Sequence, residues 1–530
     1  MTGATSAAFN ITPGAASVLV FTAQPSSEIA GAAITPAVVV TARDNHGNTA
    51  TAFTGTITVA IGTNPGDGTL SGTTAVAAAA GVATFGGLSI NLAGNGYTLA
   101  ATATGPTGAT SAAFNITPGA ASATQSTVSA APSSIAASSG ASASTITVTA
   151  RDQFSNVIQG ATVVLAATGA ENTLSQPSGT TNGSGVATGT LSSTHAETKT
   201  VSATINAVAI TQTATITVTP AAPSAALTTV SAAPTSIPAS LGTATSTITV
   251  TARDPFNNVI QGATVVLDAT GAGNTLMQPS GPTNSSGVTT GTLSSFVAGT
   301  KTVSATVNAV DITQTATVTV TPLTEASATQ SSLVSTPGSI VASNGATVST
   351  ITVTARDQFD NLIQGATVVL AATGGGNTLT QPGATNAGGV AIGSLSSDDA
   401  ETKTVSATIN GVGITQTTAV TVIPAAAATL VFTQQPSLAT TITDIAPPVT
   451  VLVRDAFGNT VTGFAGTVTM TIQNDASLLS DATLTGTNPA TVVDGVAAFP
   501  NLRINRLGVG YTLRATAGVL FAISATFTVL

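Results

Sequence analysis

One twenty-residue phrase constrains this chain more than any other feature. TARDQFSNVIQGATVVLAAT runs from Thr149 to Thr168, returns as TARDPFNNVIQGATVVLDAT from Thr251, and returns again as TARDQFDNLIQGATVVLAAT from Thr354. Looser copies read TARDNHGNTATAFTGTITVAI from Thr41 and LVRDAFGNTVTGFAGTVTMTI from Leu452. The Arg-Asp pairs Arg43-Asp44, Arg151-Asp152, Arg253-Asp254, Arg356-Asp357 and Arg454-Asp455 mark five units. Their spacing of about one hundred residues is the length of a small domain, so the chain reads as a linear array rather than one large core.

The units are of two kinds. The first (18–118) and fifth (426–530) share LVFTAQPS and LVFTQQPS at their starts, and GYTLAATA and GYTLRATA near their ends. The second (119–221), third (222–323) and fourth (324–425) open on Ser/Ala/Pro stretches and close on variants of TKTVSATINAVAITQTATITVTP. Residues Thr2–Ser17 repeat Thr107–Ser122 letter for letter. The second copy ends a unit, so residues 1–17 are expected to be the closing strand of a preceding repeat, and the chain reads as a piece of a longer array. That strand is also a candidate to pair with the sheet edge of a neighbouring molecule.

Alternation fixes the class of the units. In STITVTAR, Ile146, Val148 and Ala150 oppose Thr145, Thr147 and Thr149. In KTVSATI, Val201, Ala203 and Ile205 oppose Thr200, Ser202 and Thr204, and the last strand is expected to carry Ile210, Gln212, Ala214, Ile216 and Val218 on one face. Period two with a Thr outer face means strands buried on one side. Gly-Asn and Asn-Gly pairs punctuate the runs, and no segment sustains a 3.6 period. The expected fold is all-β: five sandwiches of about seven short strands each, joined by short Pro-bearing linkers that favour a semi-rigid rod.

Composition excludes several functions. Charged residues are 6% of the chain and the net charge is -9, so no basic surface exists to meet phosphate and no nucleic-acid partner is expected. There is no Cys, hence no disulfide and no thiolate metal site. No apolar run is long enough for a membrane helix, and no signal peptide is visible. His46 and His195 lie in different units, which leaves no Ser-His-Asp arrangement and no metal cluster. No catalytic residue, cofactor or metal is expected.

The remaining candidates read as structural. Parity places Asp152 on the core side at its strand's end, where a carboxylate accepts N–H groups from the turn at Phe154–Asn156. Calcium is the functional alternative, but it needs several converging oxygens and each unit offers about one acid there. Lys199, Lys301 and Lys403 share parity with core positions and are expected to snorkel at a strand end. Tyr97 and Tyr511 occupy one place in the first and fifth units and read as core corner tyrosines.

With TARDxxxNxIQGATVV, GVATGTLSS and TKTVSAT in view, units two to four resemble bacterial Ig-like domains of the invasin and intimin type, and units one and five a related subtype. The resemblance implies extracellular sandwich repeats that build the stalk of a surface adhesin and space a distal binding tip. The partner is then either another copy of the chain, in a filament or sheet linked by strand addition, or a surface or matrix component.

Overall fold

The computed structural model describes residues 3–530. Among these there is no helix, and strands carry the architecture. The buried apolar side chains fall into five separate clusters, each within one sequence unit.

Units two to four share one topology. In unit two, a four-stranded antiparallel sheet runs in the order Thr127–Ala131, Ser144–Thr149, Val186–Ser193, Asn172–Ser175. The facing sheet has Ser134–Ala136 parallel to Ala214–Thr219, then Thr198–Ile205, then Val163–Ala167. The alternation places the core as expected: Ile146, Val148, Val201 and Ile205 are fully buried, while Thr145 is exposed. Ile210 is buried as expected, but residues 211–213 depart from the expectation. The last strand begins only at Ala214, and Gln212 is exposed. Its carboxamide oxygen accepts the N–H of Val128, and Thr211 bonds to Ala123. These bonds hold that stretch against the unit's opening strand instead of in the sheet ladder.

Units one and five differ from the middle three. Unit one divides its strands among Val18–Ala23, Val38–Arg43 and Val82–Phe85 on one side, and Thr56–Ile61 with Leu99–Thr102 on the other. Its closing strand Phe114–Thr117 lies parallel to Glu28–Ile29 and antiparallel to Gly94–Tyr97. In unit five the hairpin Ala490–Val493/Val496–Phe499 connects both sides into one continuous ladder. The identical copy of the closing strand at the start of the chain does not pair in the same way. Residues 3–17 form no strand; Phe9 and Ile11 are 76% and 87% exposed, whereas Phe114 and Ile116 are 3% and 2% exposed. Residues 1 and 2 of the expected strand lie outside the described residues.

Close packing inside each middle unit leaves no room for a side chain at one sheet position. A Cβ on Gly189 would sit 2.3 Å from the Ser175 carbonyl oxygen and 2.6 Å from Leu165, and Gly291 and Gly393 meet the same obstacles in units three and four. Overpacking against backbone is not relieved by a rotamer change. Gly189→Ala is therefore expected to destabilise unit two by ~2 kcal/mol, seen in calorimetry of the full chain as one unfolding component moved down while the others hold.

Candidate functional site at the joints between repeats

The recurrent Asp sits where its strand ends and the chain must turn. Asp152, Asp254 and Asp357 are fully buried, and Asp44 and Asp455 nearly so. A buried carboxylate must have its oxygens filled by donors. Asp152 Oδ1 accepts the backbone N–H of Phe154 and of Asn156, both at 2.9 Å. Its Oδ2 accepts the Asn156 carboxamide at 2.8 Å and the N–H of Gly119 at 2.9 Å. Gly119 belongs to the linker arriving from unit one, so the carboxylate ties its own turn to the incoming chain.

Asn156 carries the joint further. Its Nδ2 donates to the Asn91 carbonyl at 2.9 Å, and its Oδ1 accepts the Ala93 N–H at 2.8 Å. Both partners belong to unit one. The arrangement recurs at each later joint. Asn258 bonds Thr194 O and Ala196 N at 2.8 and 2.9 Å, and Asn361 bonds Phe296 O and Ala298 N at 2.9 and 2.7 Å. Asn459 bonds Asp398 O and Ala400 N at 2.7 and 2.8 Å. The linker N–H groups of Ala221, Leu323 and Ala425 fall on Asp254, Asp357 and Asp455. Asp44 likewise takes Gly14 N–H at 2.8 Å, but Asn48 is exposed, with its carboxamide nitrogen on Asp44 alone.

An aromatic ring seals three of the joints. Phe154, Phe256 and Phe359 each pack against the core of the preceding unit. Phe154 lies over Gly31, where a Cβ would come within 2.3 Å of the ring. Phe359 packs against Phe296 of unit three in a tilted pair with centroids 6.1 Å apart. The Arg side chains face outward and brace the turn: Arg151, Arg253 and Arg356 donate Nη1 to the carbonyls of Ser155, Asn257 and Asp360. Arg356 also pairs with the Asp360 carboxylate at 3.0 Å. With every Asp oxygen accepting N–H groups, the carboxylate is committed to the turn and the linker, which is chemistry unlike a calcium site.

Sequence reasoning placed donors from the turn around Asp152 but missed the inter-unit role of the Asn and Phe side chains. The signal was present: Asn48, Asn156, Asn258, Asn361 and Asn459 all stand four residues after the Asp.

The lysines correct their expectation. Lys199 and Lys403 are wholly buried and Lys301 nearly so, with no snorkelling to solvent. Lys199 Nζ donates to Glu197 and to the Ala170 carbonyl, and Lys403 to Glu401 and the Gly375 carbonyl. Those ammonium groups hold Glu197 and Glu401 below the usual carboxylate range. Lys301 has the Ala272 carbonyl and no acid, and burial lowers its pKa. The loop after the preceding strand curls over the ammonium, which is why the side chain ends inside the fold. Tyr97 and Tyr511 are fully buried; their hydroxyls donate to Leu92 and Arg506 carbonyls at 2.9 and 3.1 Å, and burial raises both pKa values.

Comparison with known proteins fits the repeats. Residues 122–221 and 224–323 each match the family model of invasin domain 3, and residues 330–423 match the bacterial Ig-like domain (group 1). The chain therefore belongs, through these three units, to the bacterial Ig-like repeat proteins of the invasin type. No curated protein matches it. Among solved structures, the Escherichia coli adhesin FdeC is 22% identical, over 57% of this chain and 98% of that one, with a TM-score of 0.37. Invasin, described as a bacterial integrin-binding protein, is 16% identical over 76% and 78%, at 0.38. InvD of Yersinia pseudotuberculosis is 22% identical over 56% and 96%, at 0.35.

Two outcomes follow from the joint. Burial pushes the Asp455 carboxyl up, but the donors Asn459, Ala425 and Phe457 together outweigh it and hold the carboxyl below its usual range. A depressed folded pKa stabilises the fold above the unfolded value and loses that contribution as pH falls through the folded one. Unit five should hold its stability from neutral pH down to about 4 and lose it below, and Asp455→Asn should flatten that acid limb in pH-dependent calorimetry. At Lys301, a buried ammonium with one carbonyl partner costs more to desolvate than that bond returns. Lys301→Met is expected to raise the unfolding midpoint of unit three, by ~1 kcal/mol in stability.

Proposed function

We propose that this chain is a non-enzymatic stalk segment of a bacterial surface protein, a rod of Ig-like domains that holds something else at a distance. The single observation that carries the reading is the repeated joint: one Asp, one Asn and two hydrogen bonds to the preceding unit, at all four boundaries. Such a joint restricts bending. The units, taken as domains over 18–118, 119–221, 222–323, 324–425 and 426–530, are spacers with their own cores and Thr-lined outer faces. Sparse charge and the absence of Trp suit a surface that adheres to little. The membership in a family that includes invasin domains supports an extracellular, cell-surface setting for the stalk. No described helix is long and apolar enough to cross a membrane.

A second reading, in which copies assemble end to end into a filament, is favoured by one feature: the exposed Phe9 and Ile11, whose twins in unit one are core residues.

The stalk reading is tested by small-angle X-ray scattering of the dilute chain. Five units at ~3.3 Å per residue along their strands give a rod of roughly 200 Å. Replacing Asn156, Asn258, Asn361 and Asn459 together by Ala should shorten the mean end-to-end distance while leaving the unfolding of each unit nearly unchanged. An intact chain far more compact than the rod, or a variant as extended as the parent, would count against the proposal.

A further inference from the structure

We propose that the open sheet edge of each middle repeat is a self-association surface held shut by a glutamine. Gln176, Gln278 and Gln381 occupy backbone groups that a second copy of the chain would otherwise pair with. Such a latch governs contacts made side by side, and it goes beyond the stalk reading without requiring it.

The strands concerned are Val163–Ala167, Val265–Ala269 and Val368–Ala372. Each stands last in its sheet, with a ladder partner on one side only. In unit two that partner is Thr198–Ile205. The Thr162 carbonyl accepts the Asn206 N–H, and Thr168 donates its N–H to the Thr200 carbonyl, so the even-numbered residues bond into the ladder. Val163, Leu165 and Ala167 therefore turn their N–H and C=O groups away from the sheet. An edge of this kind is a template for another chain, and charged side chains, Lys above all, are the usual means of blunting it. Neither is at hand here. The stretch ATVVLAAT carries no charge in units two and four, and all three lysines of the chain are enclosed in the fold. On the outer face of the edge strands, Val164 and Val266 are 53% exposed and Val369 51%.

A carboxamide takes the place of charge. Gln176 follows Asn172–Ser175, the edge strand of the facing sheet, and its side chain reaches across the open side of the sandwich. Its Oε1 accepts the Leu165 N–H at 2.7 Å and its Nε2 donates to the Leu165 carbonyl at 2.9 Å. A primary amide offers the same donor and acceptor as a peptide group, so it fills the position of one strand residue. Thr181 closes Ala161 in the same manner: its Oγ1 accepts the Ala161 N–H and its own N–H goes to the Ala161 carbonyl, both at 2.9 Å. No two neighbouring outward positions between Ala161 and Ala167 remain open to an incoming strand. Leu267 is held by Gln278, with both bonds at 2.8 Å, and Leu370 by Gln381 at 2.7 and 2.9 Å. A proline follows each glutamine, at Pro177, Pro279 and Pro382, so the segment bearing the latch has no ladder donor beside it.

The end units show what the carboxamide stands in for. In unit one the strand Thr56–Ile61 is covered by the backbone of Ala75–Ala77 and by the Thr74 carbonyl, which accepts the Val59 N–H. In unit five Thr467–Asn474 is covered at Thr467 and Val468 by the strand Ala490–Val493. At Met470 the cover passes to Asn488, whose carboxamide accepts the Met470 N–H at 2.8 Å and donates to its carbonyl at 2.7 Å. There a side-chain amide continues a ladder that a real strand has begun. The middle units lack the extra strand and keep the amide alone. The occupant that fits an unlatched edge is the same strand of a second copy, antiparallel about a two-fold axis. In units two and four it brings no like charge to oppose the pairing; unit three alone carries one, Asp268.

The test uses the full chain with Gln176→Thr and Gln381→Thr, because threonine suits a strand but is too short to reach the edge. Sedimentation velocity at up to about 100 µM covers weak contacts. The variant is expected to self-associate roughly tenfold or more tightly than the parent, while calorimetry of the dilute chain finds its units unfolding as before. Adding Val164→Lys and Val369→Lys, on the exposed face of the same strands, should bring association back to the parent's level, since like charges then meet across the paired edges. Association through partial unfolding or through another surface would persist in the lysine variant, and that result would overturn the latch. A folded variant no more associated than the parent would overturn it too. Neither result alters the length of the parent rod, so the stalk reading is judged separately by scattering.

Discussion

Each joint depends on a buried carboxylate that has no counter-charge. An Asp taken out of water and given no cation must be satisfied by dipoles, and here four or more N–H groups from the turn, the Asn side chain and the incoming linker supply them. That requirement fixes the turn, and the turn fixes the rotamer of Asn156 and its counterparts. The Asn then has one donor and one acceptor left over, and both point at the preceding unit. Orientation between neighbours is set by an Asn that the hydrogen bonds satisfying the acid hold in place.

The contact across each boundary is made by a neutral carboxamide. Two directed hydrogen bonds constrain rotation as well as distance, and they are insensitive to salt because no net charge is exchanged across the boundary. The Phe rings add apolar contact at the first three joints, whereas at the fourth Phe457 remains 38% exposed. The fourth boundary, where the unit type changes, therefore relies more heavily on its hydrogen bonds.

Within the units, much was legible from the residues. Alternation identified Ile146, Val148, Val201 and Ile205 as core, and the parity of Asp152 and Lys199 pointed inward. What alternation does not convey is where a long side chain ends. Lys199 has four methylenes and could reach solvent from a strand end, yet the 168–172 loop folds over its ammonium and supplies a carbonyl. Gln212 satisfied the period-two pattern but left the ladder, because its carboxamide and the backbone of Thr211 found partners on the opening segment. A pattern counts faces; it does not count competing hydrogen bonds.

By itself the sequence determined the period of the array, the strand class of each unit and the inward parity of the Asp and Lys positions. These are local or repetitive properties, carried by spacing and side-chain type. Only the tertiary structure decided that the Asn four residues after each Asp reaches a different unit, that the lysines are enclosed, and that one sequence is a core strand at Phe114 and an exposed segment at Phe9. The reason is physical: identical residues have identical propensities, but burial and hydrogen-bond satisfaction depend on which surfaces lie opposite them.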